Sequence, residues 1–225
     1  GLVVWPVQGV QRAGDTPEVG QGILGEDGCI EGAAEGAVII DMSTIDPMVS
    51  KRLALEIDSA GGQMIDAPVS GGETGAINGT LTIMVGGPAA VLDRCREVLA
   101  VMGNKLIHAG NEAGMGGKVK LVNNMITGIS MIATSEAFLT GLKAGLSMET
   151  IVEVVGTSSG NTWVLQNHFP NTVLKNQHEP GFMLDLMYKD VGLALALADD
   201  VGVPVPVAGL ARQVYLTGRT AGLGR

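Results

Sequence analysis

Between Ala37 and His108 short β-rich runs alternate with helical segments, and after Gly110 the strands stop; no other feature of this 225-residue chain constrains its fold as tightly. Val38–Asp41 reads as a buried strand, 47–60 as a helix with Pro47 in its first turn, and 63–67 as a second strand. A strand over 81–85, a helix over 88–101 and a short strand over 106–108 continue the rhythm. Strands separated by helices are joined by crossovers, so a largely parallel sheet with helices on its faces is expected. The remainder reads as helices over about 114–144, 148–156, 163–169, 182–201 and 205–217. Two domains follow, α/β over 1–110 and all-α over 111–225, with the long helix as their shared element.

Ligands bind beyond the carboxyl ends of parallel strands and at domain joins. Three segments qualify: Ser43 and Thr44 after the first strand, 68–72 after the next, and the glycine-rich stretch that opens the long helix.

Composition narrows the function. Hydrophobic residues make up 46% and glycines number 34, which is a globular chain and not a disordered one. A net charge of −9 without any Lys/Arg cluster argues against a nucleic-acid partner. Cys29 and Cys95 are isolated, as in a reduced cytoplasmic protein. Neither they nor His108, His168 and His178 have metal-ligand spacing, so no metal site is expected. No signal peptide and no uncharged apolar run long enough to span a bilayer is visible, so no membrane partner is expected either.

Three groups could carry chemistry. Gly110, Gly114 and Gly116 precede Lys120 and Asn124, which lie four residues apart on one helix face with a backbone small enough for a ligand to approach. Their stripe continues through Thr127 and Met131, and the helix dipole near Lys120 eases proton release. A cleft-facing pair explains why a lysine and an amide interrupt an otherwise apolar side. Asp66-Ala67-Pro68-Val69-Ser70-Gly71-Gly72 follows a strand; its glycine N–H groups and serine hydroxyl make either a small carboxylate cradle or a tight turn. Lys189 beside Asp190 on an apolar helix is either a structural ion pair or a cation for a cofactor or acidic substrate. Trp163 reads as core or pocket wall, and Asp199 and Asp200 as solvated helix-end residues.

Taken together these motifs resemble the β-hydroxyacid dehydrogenase family, which includes 3-hydroxyisobutyrate dehydrogenase and tartronate semialdehyde reductase and is 6-phosphogluconate dehydrogenase-like. The resemblance covers residues 15–225. It rests on Gly25-Glu26-Asp27-Gly28, on Asp41-Met42-Ser43-Thr44-Ile45-Asp46-Pro47, on Asp66 to Gly72, and on Gly79-Thr80-Leu81 leading to Val85-Gly86-Gly87. Residues 114–124 and Gly181-Phe182 running to Lys189-Asp190 complete it, six motifs in family order.

The resemblance implies an incomplete Rossmann-type domain followed by a helical substrate and dimerisation domain. It implies NAD or NADP as cofactor and a small 3-hydroxy acid or its semialdehyde as substrate. Lys120 then corresponds to the catalytic lysine that protonates the carbonyl oxygen as hydride arrives, and Asn124 to the amide that holds that oxygen. Ser70, Gly71 and Gly72 correspond to the substrate-carboxylate loop. Thr44 corresponds to a position beside the nicotinamide, Lys189 to one closing over the cofactor, and Phe182 to nearby packing. A homodimer or homotetramer is implied too, since the long apolar helix needs a partner surface.

The family opens with a strand, a GxGxxG turn and a helix that hold the pyrophosphate. That opening is missing: residues 1–14 carry no such pattern, so the chain resembles a member lacking its first βαβ unit. Weak or absent cofactor binding by this chain is therefore expected, with exposed strand edges. Two alternatives stand beside this reading. One is reduction of a sulfonated three-carbon aldehyde, which would call for a cation in the 70–72 loop; the other is a catalytically dead oligomerisation or cofactor-sensing module, against which Lys120 and Asn124 speak.

Overall fold

The computed structural model describes residues 2–5, 16–26, 28–177 and 181–224, with the backbone alone for residues 2–5. Among these, six strands form one sheet. β1 (Leu2–Trp5), β2 (Val38–Asp41) and β3 (Gln63–Asp66) are parallel, and their register puts Trp5, Asp41 and Asp66 side by side at the carboxyl edge. β5 (Thr82–Gly86) and β6 (Lys105–Gly110) are parallel to each other, with a register shift after Val85.

The sheet is thus parallel-dominated but not wholly parallel, because β5 runs antiparallel to β3 at Asp66↔Gly86 and antiparallel to β4 (Val69–Ser70). The cause is local. β3, residues 67–68 and β4 make one extended stretch, interrupted at Pro68, which has no N–H to donate but whose carbonyl accepts from Met84 N at 2.9 Å. The chain then returns after only a short helix, α3 (Gly72–Ile77), in place of a full crossover.

Period-two alternation sorts the strand side chains onto two faces. Val38, Ile40, Ile65, Ile83 and Val85 join Val91, Leu92, Cys95 and Leu99 of α4 (Ala89–Met102) in one core. Ile39 and Met64 face the other way, against Val19 and Ile23 of α1 (Thr16–Leu24) and Leu53 and Ile57 of α2 (Pro47–Ser59). α2 starts where the sequence dictates: Pro47 is its first residue and Asp46 caps it, accepting from Met48 N at 2.8 Å.

β1, α1, β4 and α3 are elements the sequence pattern leaves unassigned. α1 and α3 are short and glycine-interrupted, so their apolar period is faint. Asp27, in the first of the family-like motifs, and residues 6–15 lie outside the described residues, as does His178.

The chain divides into two units, 1–122 and 123–225, and the division falls within α5 (Met115–Lys143). In the second unit, Phe138 packs on Phe169 with ring centroids 4.7 Å apart, together with Ile151 of α6 (Met148–Gly156) and Val164 and Leu165. α7 (Leu184–Asp200) and α8 (Pro206–Thr220) form a second cluster around Met187, Val191 and Tyr215, with Phe182 packed against it. Burial pushes the Tyr215 hydroxyl up to about 12, keeping it a donor to Gly128 O at 2.9 Å.

Two expectations change here. The short helix near Trp163 is a π-helical turn over Val164–His168, and Trp163 is not core, being 65% exposed. α5 is, by length and composition alone, long and apolar enough to cross a bilayer. The sequence hides this because Lys118, Lys120 and Glu136 break the uncharged run.

Leu53 is 1% exposed in the α1–α2 core. Leu53→Ala is expected to lower the unfolding free energy by about 2–5 kcal/mol in urea denaturation; a loss under about 1 kcal/mol would mean that α1 does not close over this face.

Candidate active site

The carboxyl edge of β1–β3 carries the first group of candidates. After β2, Ser43 N donates to Asp41 Oδ1 at 2.9 Å, Thr44 is half-buried, and the buried Ser43 hydroxyl has no hydrogen-bond partner among the described residues. Ser70, Gly71 and Gly72 do not form a plain loop. Ser70 ends β4, Gly71 is the N-cap of α3, and Gly72 starts that helix. A Cβ on Gly71 would meet Leu81 Cδ2 at 2.9 Å, whereas beside Gly72, at φ 62°, nothing lies within 4 Å. Packing fills one side of this turn and leaves the other open, as a cradle requires.

The glycines before Lys120 do something different from what their spacing suggests. A Cβ on Gly114 (φ 91°) would collide with Pro47 O, and one on Gly116 with Met84 O, so the space beside them holds protein backbone and not a ligand. They let α5 press onto the sheet edge. The contact is made by Asp66, a residue the sequence reading passed over: its Oδ1 accepts from Gly114 N and its Oδ2 from Gly117 N, both at 2.7 Å. Burial pushes the Asp66 carboxyl up to about 6; the Gly117 and Gly114 donors oppose that rise, and the nearby Asp41 charge adds to it. Lys120 follows one turn later on the same helix and is 8% exposed.

In the second unit Asn124 is 4% exposed. Its Nδ2 donates to Asp190 Oδ2 at 2.6 Å, and its Oδ1 accepts from Asn123 Nδ2 at 3.0 Å. The amide is thereby oriented from both ends. Lys189 Nζ lies 3.0 Å from Asp190 Oδ1, an ion pair with the lysine on its more exposed side. Asp190, 2% exposed, thus ties Asn124 to Lys189. The sequence sets Asp190 beside Lys189 and gives Asn123 no role, and adjacency alone could have pointed to their hydrogen bonds with Asn124.

One GxGxxG string does occur, Gly20-Gln21-Gly22-Ile23-Leu24-Gly25. It runs along α1 and off its C-terminal end, where Gly25 N donates to Gln21 O at 2.8 Å. A pyrophosphate turn needs its glycines between a strand and a helix N-terminus, so this string is not one.

Residues 13–110 match the profile of the NAD binding domain of 6-phosphogluconate dehydrogenase, and residues 114–225 that described as NAD-binding of NADP-dependent 3-hydroxyisobutyrate dehydrogenase. The chain is 39% identical over 201 residues to 2-(hydroxymethyl)glutarate dehydrogenase of Eubacterium barkeri, covering 89% of this chain and 66% of that one. It is 41% identical over 198 residues to 3-hydroxyisobutyrate dehydrogenase of Pseudomonas aeruginosa, covering 85% and 66%. Against 3-sulfolactaldehyde reductase of Escherichia coli it is 36% identical over 203 residues, covering 90% and 68%. The chain therefore spans about two thirds of the length of these relatives. Its structure is similar to that of Mycobacterium tuberculosis 3-hydroxyisobutyrate dehydrogenase with L-serine, at a TM-score of 0.88 and 31% identity, over 99% of this chain and 75% of that one.

Asp66 generates a pH prediction. Its folded value, about 6, lies above the ordinary carboxylate value, so its contribution to stability is full below pH ~4 and is lost as the pH rises from ~4 to ~6. The loss is on the order of 3 kcal/mol. Asp66→Asn places an amide N–H against a backbone N–H and costs about 1–3 kcal/mol. Urea unfolding at pH 4 and pH 7 should show the gap between wild type and Asp66→Asn narrowing at the higher pH; a constant gap would contradict the raised value.

Proposed function

The chain belongs to the β-hydroxyacid dehydrogenase family, and from that membership we propose that its residues serve hydride transfer between NAD or NADP and a small 3-hydroxy acid or its semialdehyde. The observation that carries the reading is a buried lysine, Lys120, one helical turn ahead of an amide, Asn124, that Asp190 and Asn123 orient. Proton transfer to a carbonyl oxygen requires a donor and a means of holding that oxygen.

In the reducing direction Lys120 gives its Nζ proton to the substrate's carbonyl oxygen while the carbon gains the hydride; in oxidation it takes the hydroxyl proton back. Asn124 binds that oxygen through the amide N–H that Asp190 does not use. Ser70 and the backbone of Gly71 and Gly72 bind the substrate carboxylate at the open side of their turn. The orphaned hydroxyl of Ser43 beside Thr44 suits the polar end of a nicotinamide, and Thr44 and Lys189 would hold the cofactor. Bound there, the nicotinamide ring supplies or accepts the hydride.

The relative named 3-sulfolactaldehyde reductase supports a second reading in which the substrate is a sulfonated aldehyde. The Ser70-Gly71-Gly72 segment has no cation to read a sulfonate, which favours the carboxylate. The exposed stripe Val119, Val122 and Ile126 on α5, spaced for one helix face, supports a homodimer or homotetramer, and the free thiols of Cys29 and Cys95 support a reducing, cytoplasmic setting.

Because the Gly20–Gly25 string is not a pyrophosphate turn, a thermal-shift titration with NADH and with NADPH is expected to give a small rise in Tm at most, and a saturable shift with either would overturn that expectation. Lys120→Ala is expected to lower kcat for semialdehyde reduction by about 10²- to 10⁴-fold; a variant retaining wild-type turnover would remove Lys120 from the chemistry. Val122→Glu with Ile126→Glu should yield a monomer by light scattering, and an unchanged mass would place the subunit contact elsewhere.

A further inference from the structure

Asp66 takes no part in the proton and hydride chemistry above, yet it joins the two segments of the first unit that carry it. α5 begins on poor helix formers. Gly114 accepts the first helical bond, from Lys118 N at 2.9 Å, and so stands at the N-cap without a side chain to cap with; Gly116 and Gly117 follow at the second and third helical positions. Ordinarily an N-cap side chain takes the N–H of the third helical residue, and a glutamate at that third residue reaches back to the N-cap N–H. Asp66 performs both tasks from β3, one oxygen on Gly117 N and the other on Gly114 N, each at 2.7 Å. Lys120 is three residues beyond Gly117, and helical side chains lean toward the N-terminus, so its stem lies back over the turn that Asp66 holds. In the other direction along the chain, Ser70 comes four residues after Asp66.

We propose that Asp66 is a positioning residue for the reaction: a cap supplied by β3 that fixes the first turn of α5, and with it Lys120, relative to the Ser70-Gly71-Gly72 segment. The packing around it leaves little else to do this. Pro47 of α2 and Met84 of β5 lie against the glycines through backbone and ring atoms, whereas the hydrogen bonds that Gly114 N and Gly117 N donate go to Asp66. Among charged groups on the packed elements, Asp41 acts on Asp66 through its charge, Asp46 is occupied in capping α2, Glu112 pairs with Lys51, and Lys118 Nζ rests 3.9 Å from Met115 Sδ.

The proposal rests on the reading of Lys120 as proton donor, but its test does not need turnover. The full chain is acylated with a water-soluble activated ester, and the rate at Lys120 is followed by peptide mass spectrometry, with exposed Lys105 as internal reference. Asp66→Asn is expected to raise the relative rate at Lys120 by about five- to tenfold through opening of the first turn. Leu53→Ala, a destabilising change in the opposite core of the same unit, is expected to leave it within about twofold. Should Asp66→Asn not fold, Asp66→Glu, which keeps the charge and displaces the carboxylate, carries the same readout. A Lys120 rate at the wild-type level in the Asp66 variant, or one that rises equally in Leu53→Ala, overturns the proposal. With a substrate in hand, Asp66→Asn should also lower kcat about tenfold or more with KM changed less than about threefold. A wild-type chain that reduces no semialdehyde counts against the assigned reaction alone, because acylation reads Lys120 without cofactor.

Discussion

A carboxylate buried between a strand end and a helix start organises the first unit. Taking Asp66 out of water is costly, and the two N–H groups of α5, backed by the helix dipole, offset that cost only in part. To deliver those N–H groups the helix must come down onto the sheet edge. That close approach forbids side chains at Gly86, Gly114 and Gly116, where a Cβ would strike Asp66 or neighbouring backbone. Three glycines, the antiparallel meeting of β3 with β5 at Gly86, and the start of α5 therefore belong to one physical requirement.

The second unit solves a comparable problem with side chains alone. Asp190 is as buried as Asp66, but its charge meets the Lys189 ammonium on one oxygen and the Asn124 amide on the other. The arrangement leaves Asn124 with one donor and one acceptor site still to offer. An amide so anchored presents a fixed hydrogen-bonding edge, and a neutral group held rigidly binds a polar oxygen without adding charge to a buried site.

Much of this could be read from the residues. The β–α alternation from Ala37 and the helices after Gly110 depend on local periodicity, so β2, α2, β3, β5, α4 and α5 lie where the pattern puts them. α1 and α3 escape because glycines blur their period, and β4 because it has two residues. The direction of β5 escapes for another reason: whether a strand returns parallel or antiparallel depends on how the intervening chain packs, and the 71–81 connection is helical too briefly to announce it. Lys120, Asn124, Ser70 and Lys189 stand out because polar groups on apolar elements are conspicuous. Asp66, at the end of a strand, looked like an ordinary opening to a turn, and its partners are the backbone of residues 48 and 51 positions away, which no local pattern can reveal.

The glycine contacts between α5 and the sheet edge carry a consequence for how such a protein can diversify. Where backbone lies on backbone there are no side chains to exchange, so the first turn of α5 and the strand ends beneath it offer almost no positions at which the sequence can drift. Side chains can vary where space is open, as beside Gly72, where nothing lies within 4 Å. The junction of strand and helix is locked by geometry while that turn stays free to change.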